Sequence, residues 1–245
     1  MQRRSLLLLL LPLSVQAQTA PRELTVSAAA SLADAFKALA PGFEAAHPGA
    51  RLRFNFAGSG QLLQQIAQGA PVDVFASADE ATMDRAAAQQ LIDPTSRHPF
   101  ARNELVLVTP PGSALASLSG LQHAAVKRIA VGKPATVPVG RYTQQALERA
   151  QLWQALQPKL VPADHVRQVL DYVARGEVEA GFVYRSDVRG ARVRLALQVE
   201  GHEPVRYPVA AVAGSRHPQL ARAFIDHLLG ASAQALLRAH GFLAP

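Results

Sequence analysis

The sequence predicts an α/β protein of two lobes, each with a mostly parallel sheet flanked by helices. Strand-like apolar runs alternate with segments of helical periodicity, which is the pattern of parallel strands joined by crossover helices. The 245 residues are enough for two such lobes. No internal repeat or low-complexity linker separates two simple halves. We therefore expect the chain to cross between the lobes near residues 103 and 213, so that residues 22–103 and 213–245 form the first lobe and residues 104–212 the second.

The first lobe begins with alternating strands and helices whose apolar residues lie at regular spacing. Apolar residues from Leu32 to Phe43 recur at helical spacing, and Pro41 should kink or restart that helix. Apolar and polar residues alternate over residues 51–56, as in a half-buried strand. In order, the predicted elements are a strand at 23–27, a helix from Ser31, a strand at 51–56, a helix from Leu62 to Gly69, a strand at 72–77 and a helix at 78–90.

The second lobe continues the alternation, and two helices complete the chain. Its first strand ends in Pro110-Pro111-Gly112, a strong break. Asp164 is a natural N-cap for a later helix with an apolar stripe. In order, the predicted elements are strands at 104–109 and 128–132, a loop at 133–139, a helix to Ala150, a strand at 159–161, a helix from Asp164 to Arg175, strands at 179–184, 192–199 and 205–212, and helices at 218–229 and 231–240.

Residues 1–17 have the pattern of a secretory signal peptide. Arg3 and Arg4 form a basic start, an apolar run follows over residues 6–13, and the small residues before position 18 offer a cleavage site at Ala17. The alternative is a membrane anchor, but the run is far shorter than the ~20 residues that a span requires. We therefore expect an exported protein that is cleaved near Ala17.

The charge pattern does not favour a nucleic-acid partner, and the composition offers no obvious cofactor site. The formal net charge is +7 at pH 7, but the arginines are scattered singly, without a long basic run or interleaved aromatic residues. The chain contains no cysteine, so it can form no disulfide, thiolate metal site or cysteine nucleophile. The eight histidines are dispersed, and none pairs with another at a metal-ligand spacing. We predict no cofactor and no metal held by protein side chains.

Motifs of common enzymes and nucleotide-binding proteins are missing from the sequence. There is no Gly-x-Ser-x-Gly nucleophile elbow, and Gly58-x-Gly60 lacks the third glycine of a dinucleotide-binding loop. Asp73, Asp79 and Glu80 could form a carboxylate pair for acid–base chemistry, but Asp79 is equally suited to cap the following helix. The residues therefore favour neither a nucleotide-binding protein nor a hydrolase with a nucleophile elbow.

Ser31 and Ser59 are candidate ligand-binding residues because each lies where a predicted strand gives way to a predicted helix. Small neighbours allow the backbone at both positions to approach a ligand closely. The first turns of the following helices carry unpaired N–H groups and the positive end of the helix dipole, which together attract anions. Ligands of parallel sheets bind beyond the carboxyl ends of the strands, so the two turns should converge. The other interpretation is two ordinary helix N-caps.

Several longer motifs follow one another in order along nearly the whole chain from residue 24. They are Ala28-Ala29-Ala30-Ser31-Leu32, Phe56-Ala57-Gly58-Ser59-Gly60, the segment from Gly69 to Asp79, Ile129-Ala130-Val131-Gly132, Val137-Pro138-Val139-Gly140-Arg141-Tyr142, Gly181-Phe182-Val183-Tyr184 and Tyr207-Pro208-Val209-Ala210. In these motifs the chain resembles the periplasmic molybdate-binding proteins of ABC importers, which have the type II periplasmic binding fold.

The resemblance implies that a tetrahedral oxyanion, molybdate or tungstate, is held in a cleft between the lobes. In the family two serines donate hydrogen bonds through hydroxyl and backbone N–H groups, and they match Ser31 and Ser59. Backbone N–H donors match Val139 and Val166, and a tyrosine hydroxyl matches Tyr184. The resemblance further implies a periplasmic monomer that delivers the ion to the membrane permease of an ABC importer, with no direct bond between protein and metal.

A site made of donors alone favours ions that only accept hydrogen bonds. Molybdate and tungstate are fully deprotonated at neutral pH, whereas hydrogen phosphate carries a proton that would be left unsatisfied at a cost of ~1–3 kcal/mol. Sulfate is also a bare dianion and must be rejected by size. A receptor for sulfate or another oxyanion on the same fold is therefore the alternative.

Three features depart from the family pattern. Val139 replaces a common alanine, and its added bulk could adjust the cavity. His165 stands where relatives often carry an acidic residue, and it could add positive potential if protonated or simply lie at the surface. Gly58 and Gly60 flank Ser59 where relatives often have serines, which predicts a more flexible turn.

Overall fold

The computed structural model describes residues 22–245, and the predicted signal peptide at residues 1–17 lies outside this range. Strands and helices alternate along the described chain. The strands are β1 (Arg22–Ala29), β2 (Ala50–Ala57), β3 (Val74–Ala76), β4 (His98–Asn103), β5 (Leu105–Thr109), β6 (Ile129–Gly132), β7 (Leu160–Ala163), β8 (Ala180–Tyr184), β9 (Arg194–Gln198) and β10 (Val205–Ala211). The α-helices are α1 (Ala33–Ala46), α2 (Ser59–Ala67), α3 (Glu80–Ala88), α4 (Pro138–Arg149), α5 (Trp153–Leu156), α6 (Val166–Ala174), α7 (Pro218–Leu229) and α8 (Ala231–Ala239).

The strands form two five-stranded sheets, one in each lobe. The first sheet has the order β2-β1-β3-β10-β4, in which β10 runs antiparallel to both of its neighbours. The second sheet has the order β7-β6-β8-β5-β9, in which β5 runs antiparallel to both of its neighbours. Each sheet therefore has a single strand that opposes the others. The prediction of two helix-flanked, mostly parallel sheets is confirmed.

Buried apolar runs explain why the central strands form. β5 has the sequence LVLVT and is buried at every position, as expected for a strand that is covered on both faces. Helix α6 packs its buried stripe, which includes Val169 and Val173, against β8. A Cβ atom at Gly181 of β8 would lie 2.7 Å from a methyl of Val173, so a glycine is needed for this close approach.

The chain crosses between the sheets at two places. It leaves the first sheet after Asn103 and enters the second at Leu105, and it returns between Gln198 and Val205. The predicted return near residue 213 is wrong, because β10 pairs with β3 and β4 of the first sheet. The second lobe therefore does not extend to residue 212. Alternating apolar residues identify β10 as a strand but do not identify its partners.

Strand β4 has no counterpart among the predicted strands. Its sequence, HPFARN, contains Pro99 and little apolar alternation. Among the described strands, β4 pairs with β10 and lies at the edge of the first sheet, where a proline removes no essential ladder hydrogen bond. A single bridge joins Arg102 of β4 to Leu243 near the end of the chain. The place of β4 in the sheet thus follows from tertiary pairing, which local sequence does not reveal.

Several helices differ from the predictions near a named residue. Helix α2 begins at Ser59 and not at Leu62. Helix α1 runs through Pro41 without a restart. The N-cap of α6 is His165 and not Asp164, because the His165 Nδ1 accepts the backbone N–H of Gln168 at 3.1 Å. Asp164 is instead paired with Lys133, whose ammonium holds the pKa of that exposed carboxyl below its usual range. Asp79 caps α3 as predicted, since its carboxylate accepts the Thr82 N–H.

No helix within residues 22–245 has both the length and the apolar character needed to cross a bilayer.

An aromatic cluster forms the centre of the first lobe and joins its two chain segments. Phe36 of α1 is fully buried, and its ring centroid lies 6.0 Å from those of Phe54 and Phe100 and 5.9 Å from that of Phe224. Phe43 lies about two turns further along α1, and its ring centroid is 5.4 Å from that of Phe224. Because α7 follows the return crossing, these contacts tie the end of the chain to its beginning.

We predict that Phe36→Ala lowers the free energy of unfolding by ~3–5 kcal/mol, because it removes a ring at the centre of the cluster and leaves a cavity. Urea unfolding followed by circular dichroism measures the change. Leu243→Ala is the matched control, since Leu243 is 42% exposed and its truncation should cost little. Equal losses in the two variants would contradict the central role of the cluster.

Candidate functional site

A small cavity lies between the two lobes, beyond the carboxyl ends of β1, β2 and β8. All five residues predicted to bind a ligand line it, although they come from five separate parts of the sequence. Among residues 22–245, no lysine, arginine, aspartate or glutamate lines it. The lining residues are Ala29, Ala30, Ser31, Ala57, Gly58, Ser59, Ala78, Val137, Pro138, Val139, His165, Val166 and Tyr184.

The first lobe contributes two buried serines to the cavity. Ser31 lies in the short 3₁₀ turn between β1 and α1, and Ser59 is the first residue of α2. Neither serine caps a helix through its side chain, because the N-cap positions are Ala29 and Gly58. The interpretation of the serines as ordinary N-caps is therefore wrong, and their hydroxyl groups are available for another role.

The second lobe contributes two helix starts. Val139 is the second residue of α4, directly after Pro138, whose fixed φ favours the first helical turn. Val166 is the first residue of α6. Backbone N–H groups at these positions have no acceptor within their own helix, so they are free to donate elsewhere. Both residues are almost fully buried and line the cavity.

Tyr184 completes the second lobe's wall at the end of β8. Its side chain is fully buried, and its hydroxyl has no hydrogen-bond partner among the described residues. Burial raises the pKa of Tyr184 well above its usual value, so the phenol is neutral and carries a proton to donate. An unpaired buried hydroxyl is costly unless a ligand satisfies it, which marks this atom as part of a binding site.

Each serine hydroxyl already contacts another polar group. The Ser59 Oγ accepts the backbone N–H of Ala78 at 3.1 Å. The Ser31 Oγ lies 2.9 Å from the hydroxyl of Tyr207 in β10. Neither partner could be predicted from local sequence, because each contact joins two separate segments of the chain.

The cavity is electropositive although it carries no formal charge. Three helices of nine or more residues, α2, α4 and α6, begin at its wall. Each helix N-terminus has a partial positive charge of roughly half a unit and several free N–H groups. Hydrogen-bond donors that converge from two lobes on a buried space suit an anion.

The lobes are closed over the cavity by direct contacts. The Gly60 N–H donates to the Thr136 carbonyl oxygen at 2.9 Å, which joins α2 to the loop before α4. A Cβ atom at Gly60 would lie 2.6 Å from that oxygen, and one at Gly58 would lie 2.8 Å from the Asp164 carbonyl oxygen. These glycines therefore permit the close approach of the lobes, a role that the expected flexibility of the turn did not anticipate.

A partly buried ion pair also spans the cleft. The Arg141 guanidinium of α4 binds the Asp79 carboxylate at the start of α3, with Nε at 2.8 Å, and Arg141 further donates to the Thr82 hydroxyl at 2.7 Å. Asp79 thus caps α3 and holds Arg141 at once. The hypothesis of a carboxylate pair is wrong, since Asp73 accepts the Thr25 N–H and Glu80 pairs with Arg97.

A second arginine lies between carboxylates of the two lobes. Arg167 of α6 is 2.9 Å from Asp34 of α1 and 3.0 Å from Asp187. Asp187 is fully buried beyond Tyr184 and accepts the Tyr184 N–H at 3.0 Å, so it helps to fix the end of β8. Burial raises the pKa of Asp187 to about 6, even though Arg167 and the Tyr184 N–H lower it.

His165 lies at the edge of the cavity as a helix cap. Its Nδ1 accepts the Gln168 N–H at 3.1 Å, and the residue is only partly exposed where it lines the cavity. His165 therefore has a structural role at the start of α6 and does not lie wholly at the surface.

A wider groove lies at the other end of the first sheet, where β1 begins, around Arg22, Asp73 and Arg216. Its buried carboxylate, Asp73, already accepts the Thr25 N–H at 2.8 Å and the Ser215 hydroxyl at 2.7 Å. None of the predicted site residues lines this groove. Within residues 22–245, no group of three or more His, Cys, Asp or Glu residues is placed to hold a metal ion. The closed cavity is thus the better candidate site.

Comparison with known proteins places the chain among bacterial binding proteins. Residues 24–243 match the family described as bacterial extracellular solute-binding protein. The molybdate-binding protein ModA of Escherichia coli (strain K12) is 37% identical over 231 residues, which cover 90% of this chain and 88% of that protein. ModA of Haemophilus influenzae is 33% identical over 233 residues, which cover 92% and 91% of the two chains.

A solved structure supports the same relationship. The periplasmic molybdate-binding protein of Azotobacter vinelandii superposes with a TM-score of 0.81 at 27% identity, and the match covers 91% of this chain and 99% of that chain.

We predict that Asp187 makes stability depend on pH between about 4 and 6. Its pKa of about 6 in the folded state exceeds the ordinary value of 3.8, so the folded state binds the proton more tightly. The stabilisation is complete below pH ~4 and is lost as the pH rises through 6, by up to ~3 kcal/mol. Urea unfolding of the wild type and of Asp187→Asn from pH 4 to pH 7 measures the difference. Parallel pH profiles of the two proteins would contradict the prediction.

Proposed function

Because the chain belongs to the bacterial extracellular solute-binding protein family, we propose that it captures molybdate, and tungstate by the same contacts, between its two lobes. It delivers the ion to the membrane permease of an ABC importer. The protein is a binding protein and not an enzyme, and molybdate is its transported ligand and not a cofactor. Its place of action is the periplasm, which it reaches through a signal peptide at residues 1–17 that is cleaved near Ala17.

The observation that carries this proposal is the convergence of donors from both lobes on one uncharged cavity. Ser31 and Ser59 offer hydroxyl and backbone N–H groups, Val139 and Val166 offer backbone N–H groups, and Tyr184 offers an unpaired buried hydroxyl. A tetrahedral oxyanion presents four oxygens in different directions, which suits donors that surround it. All of these donors belong to one chain, so the site needs no second copy and the protein acts as a monomer.

The chemistry of the donors favours molybdate and tungstate over hydrogen phosphate. Molybdate and tungstate only accept hydrogen bonds at neutral pH, and every proposed contact donates. Hydrogen phosphate brings a proton that would lack an acceptor, at a cost of ~1–3 kcal/mol. Sulfate is a smaller bare dianion, so its rejection depends on the fit of the closed cavity. Nucleic acid is not a partner, because the arginines are scattered and no charged side chain reaches the cavity.

Isothermal titration calorimetry of the protein without residues 1–17 tests the proposal. We expect tight binding of molybdate and tungstate and much weaker binding of sulfate and phosphate. Ser31→Ala and Ser59→Ala should each weaken molybdate binding about ten- to a hundredfold, because a hydrogen bond to a charged group contributes ~1.5–3 kcal/mol.

The stability of the serine variants separates binding from folding. Ser31→Ala and Ser59→Ala should each lower the apo thermal midpoint only modestly, because each leaves one buried group, the Tyr207 hydroxyl or the Ala78 N–H, without its hydrogen-bond partner. Ser232→Ala, at an exposed position of α8, is the control and should change neither quantity. Stronger binding of sulfate than of molybdate would favour the alternative receptor, and unchanged affinity in both site variants would overturn the assignment of the serines.

We predict that Gly60→Ala weakens molybdate binding by at least about tenfold without lowering apo stability. The added Cβ would meet the Thr136 carbonyl oxygen at 2.6 Å and prevent full closure, while alanine is favoured over glycine within a helix by ~1 kcal/mol. Gly214→Ala is the control, because no atom lies within 4 Å of its Cβ position. Calorimetry measures the affinity, and small-angle scattering with molybdate measures closure. Wild-type affinity in Gly60→Ala would show that closure does not depend on this contact.

A further inference from the structure

The Ser31 hydroxyl shares a buried hydrogen bond whose direction decides what it offers to the cavity. Its Oγ lies 2.9 Å from the Tyr207 hydroxyl, and both side chains are at most 1% exposed. Distance alone allows either oxygen to donate. If Ser31 donates to Tyr207, its lone pairs face the cavity and repel an anion. If Tyr207 donates to Ser31, the Ser31 hydrogen is free to point into the cavity.

The side chain of Asn103 resolves this direction. Its Oδ1 accepts the Glu104 N–H at 2.9 Å and the Ser186 N–H at 3.4 Å, which identifies the oxygen end of the amide. The other end, Nδ2, therefore carries two hydrogens and donates to the Ser186 hydroxyl at 2.8 Å and to the Tyr207 hydroxyl at 3.4 Å. Tyr207 accepts from Asn103, and its own proton needs an acceptor because the group is buried. The Ser31 Oγ is that acceptor.

The Ser59 hydroxyl is oriented in the same way, by a separate hydrogen bond. The Ala78 backbone N–H can only donate, and it donates to the Ser59 Oγ. The Ser59 hydrogen is thus also free for the cavity. Each serine Oγ therefore accepts a hydrogen bond from a group outside the cavity. The donor is the Ala78 backbone N–H for Ser59 and the Tyr207 hydroxyl, which Asn103 orients, for Ser31. Both hydroxyls can then donate into the cavity, as a receptor for unprotonated oxyanions requires.

We propose that Tyr207 and Asn103 are positioning residues that hold the Ser31 hydroxyl as a donor toward the cavity and so exclude oxyanions that carry a proton. This inference rests on the proposed function, since it assigns a source of selectivity to the same site. The two residues act through Ser31 and do not line the cavity themselves.

The surroundings of Tyr207 keep this arrangement in place. Burial raises the pKa of Tyr207 well above its usual value, so the phenol retains the proton that it donates. The Tyr207 ring packs against Phe242, Tyr184 and Phe100, with centroid separations of 5.4, 5.8 and 6.2 Å. Asn103 and Tyr207 lie in β4 and β10, the strands next to the two crossings, so the network is anchored where the lobes join.

Removal of the Tyr207 hydroxyl should change selectivity as well as affinity. Tyr207→Phe retains the ring and its packing but frees the Ser31 Oγ to rotate and to accept a proton from a ligand. We expect molybdate binding to weaken about three- to tenfold, while binding of phosphate weakens less or strengthens. The ratio of molybdate to phosphate affinity should therefore fall, by about three- to tenfold if phosphate binding is unchanged. A loss that is merely structural would weaken all anions by the same factor.

The experiment is calorimetry at pH 8 with molybdate, sulfate and phosphate, in which phosphate is measured by displacement of molybdate. The proteins are the wild type, Tyr207→Phe and Tyr172→Phe. Tyr172 is a matched control because its hydroxyl contacts Gln168 and does not reach the cavity. The molybdate-to-sulfate ratio should stay constant in Tyr207→Phe, since neither ion carries a proton.

The outcomes separate the inference from the proposed function. A fall of the molybdate-to-phosphate ratio in Tyr207→Phe alone supports the inference. An equal loss for all three anions, or no change, overturns the inference and leaves the proposed function intact. A wild-type protein that binds none of these anions overturns the proposed function and the inference with it. If sulfate is the tight ligand, the sulfate-to-phosphate ratio serves the same test, and a constant ratio overturns the inference.

Discussion

The hydrogen bonds that reach the cavity come from neutral groups, and the rest of the structure serves to hold those groups with their hydrogens inward. A lysine or arginine would attract an anion from any direction and over a long distance. Backbone N–H groups and hydroxyls attract it only at short range and only in the correct orientation. Their attraction is also much stronger in a space without water than in an open cleft. A site of this kind therefore needs two rigid walls that meet, which is what the two sheets provide.

Formal charges lie just outside the cavity and connect its walls. Arg141 bridges to Asp79, and Arg167 bridges to Asp34, so each pair joins one lobe to the other. Because each arginine has a carboxylate partner, neither is directed at the space between the serines. Gly58 and Gly60 let the backbones approach closely enough for these pairs to form. The division of roles is clear: charged side chains favour closure, and neutral dipoles contact the enclosed space.

The sequence indicated the fold class and five of the residues that line the cavity, for two different reasons. Ser31 and Ser59 follow strands and precede helices, a local pattern that periodicity reveals. Val139, Val166 and Tyr184 came from the family resemblance, because a backbone donor leaves almost no trace in residue type. Contacts between distant segments could not be predicted in this way. The pairing of β10 with β3, the edge position of β4 and the hydrogen bond from Tyr207 to Ser31 depend on how the chain returns to the first lobe.

The late position of β10 has a consequence for the order in which the protein can be assembled. The second sheet is built from one uninterrupted stretch, Leu105 to Gln198, whereas β3 and β4 of the first sheet have no contact with each other until β10 is inserted between them. A chain that emerges from its amino terminus therefore presents every strand of the second lobe before the first lobe can be completed. Strands β3 and β4 therefore keep an unpaired edge until residues 205–211 have been added to the sheet as β10.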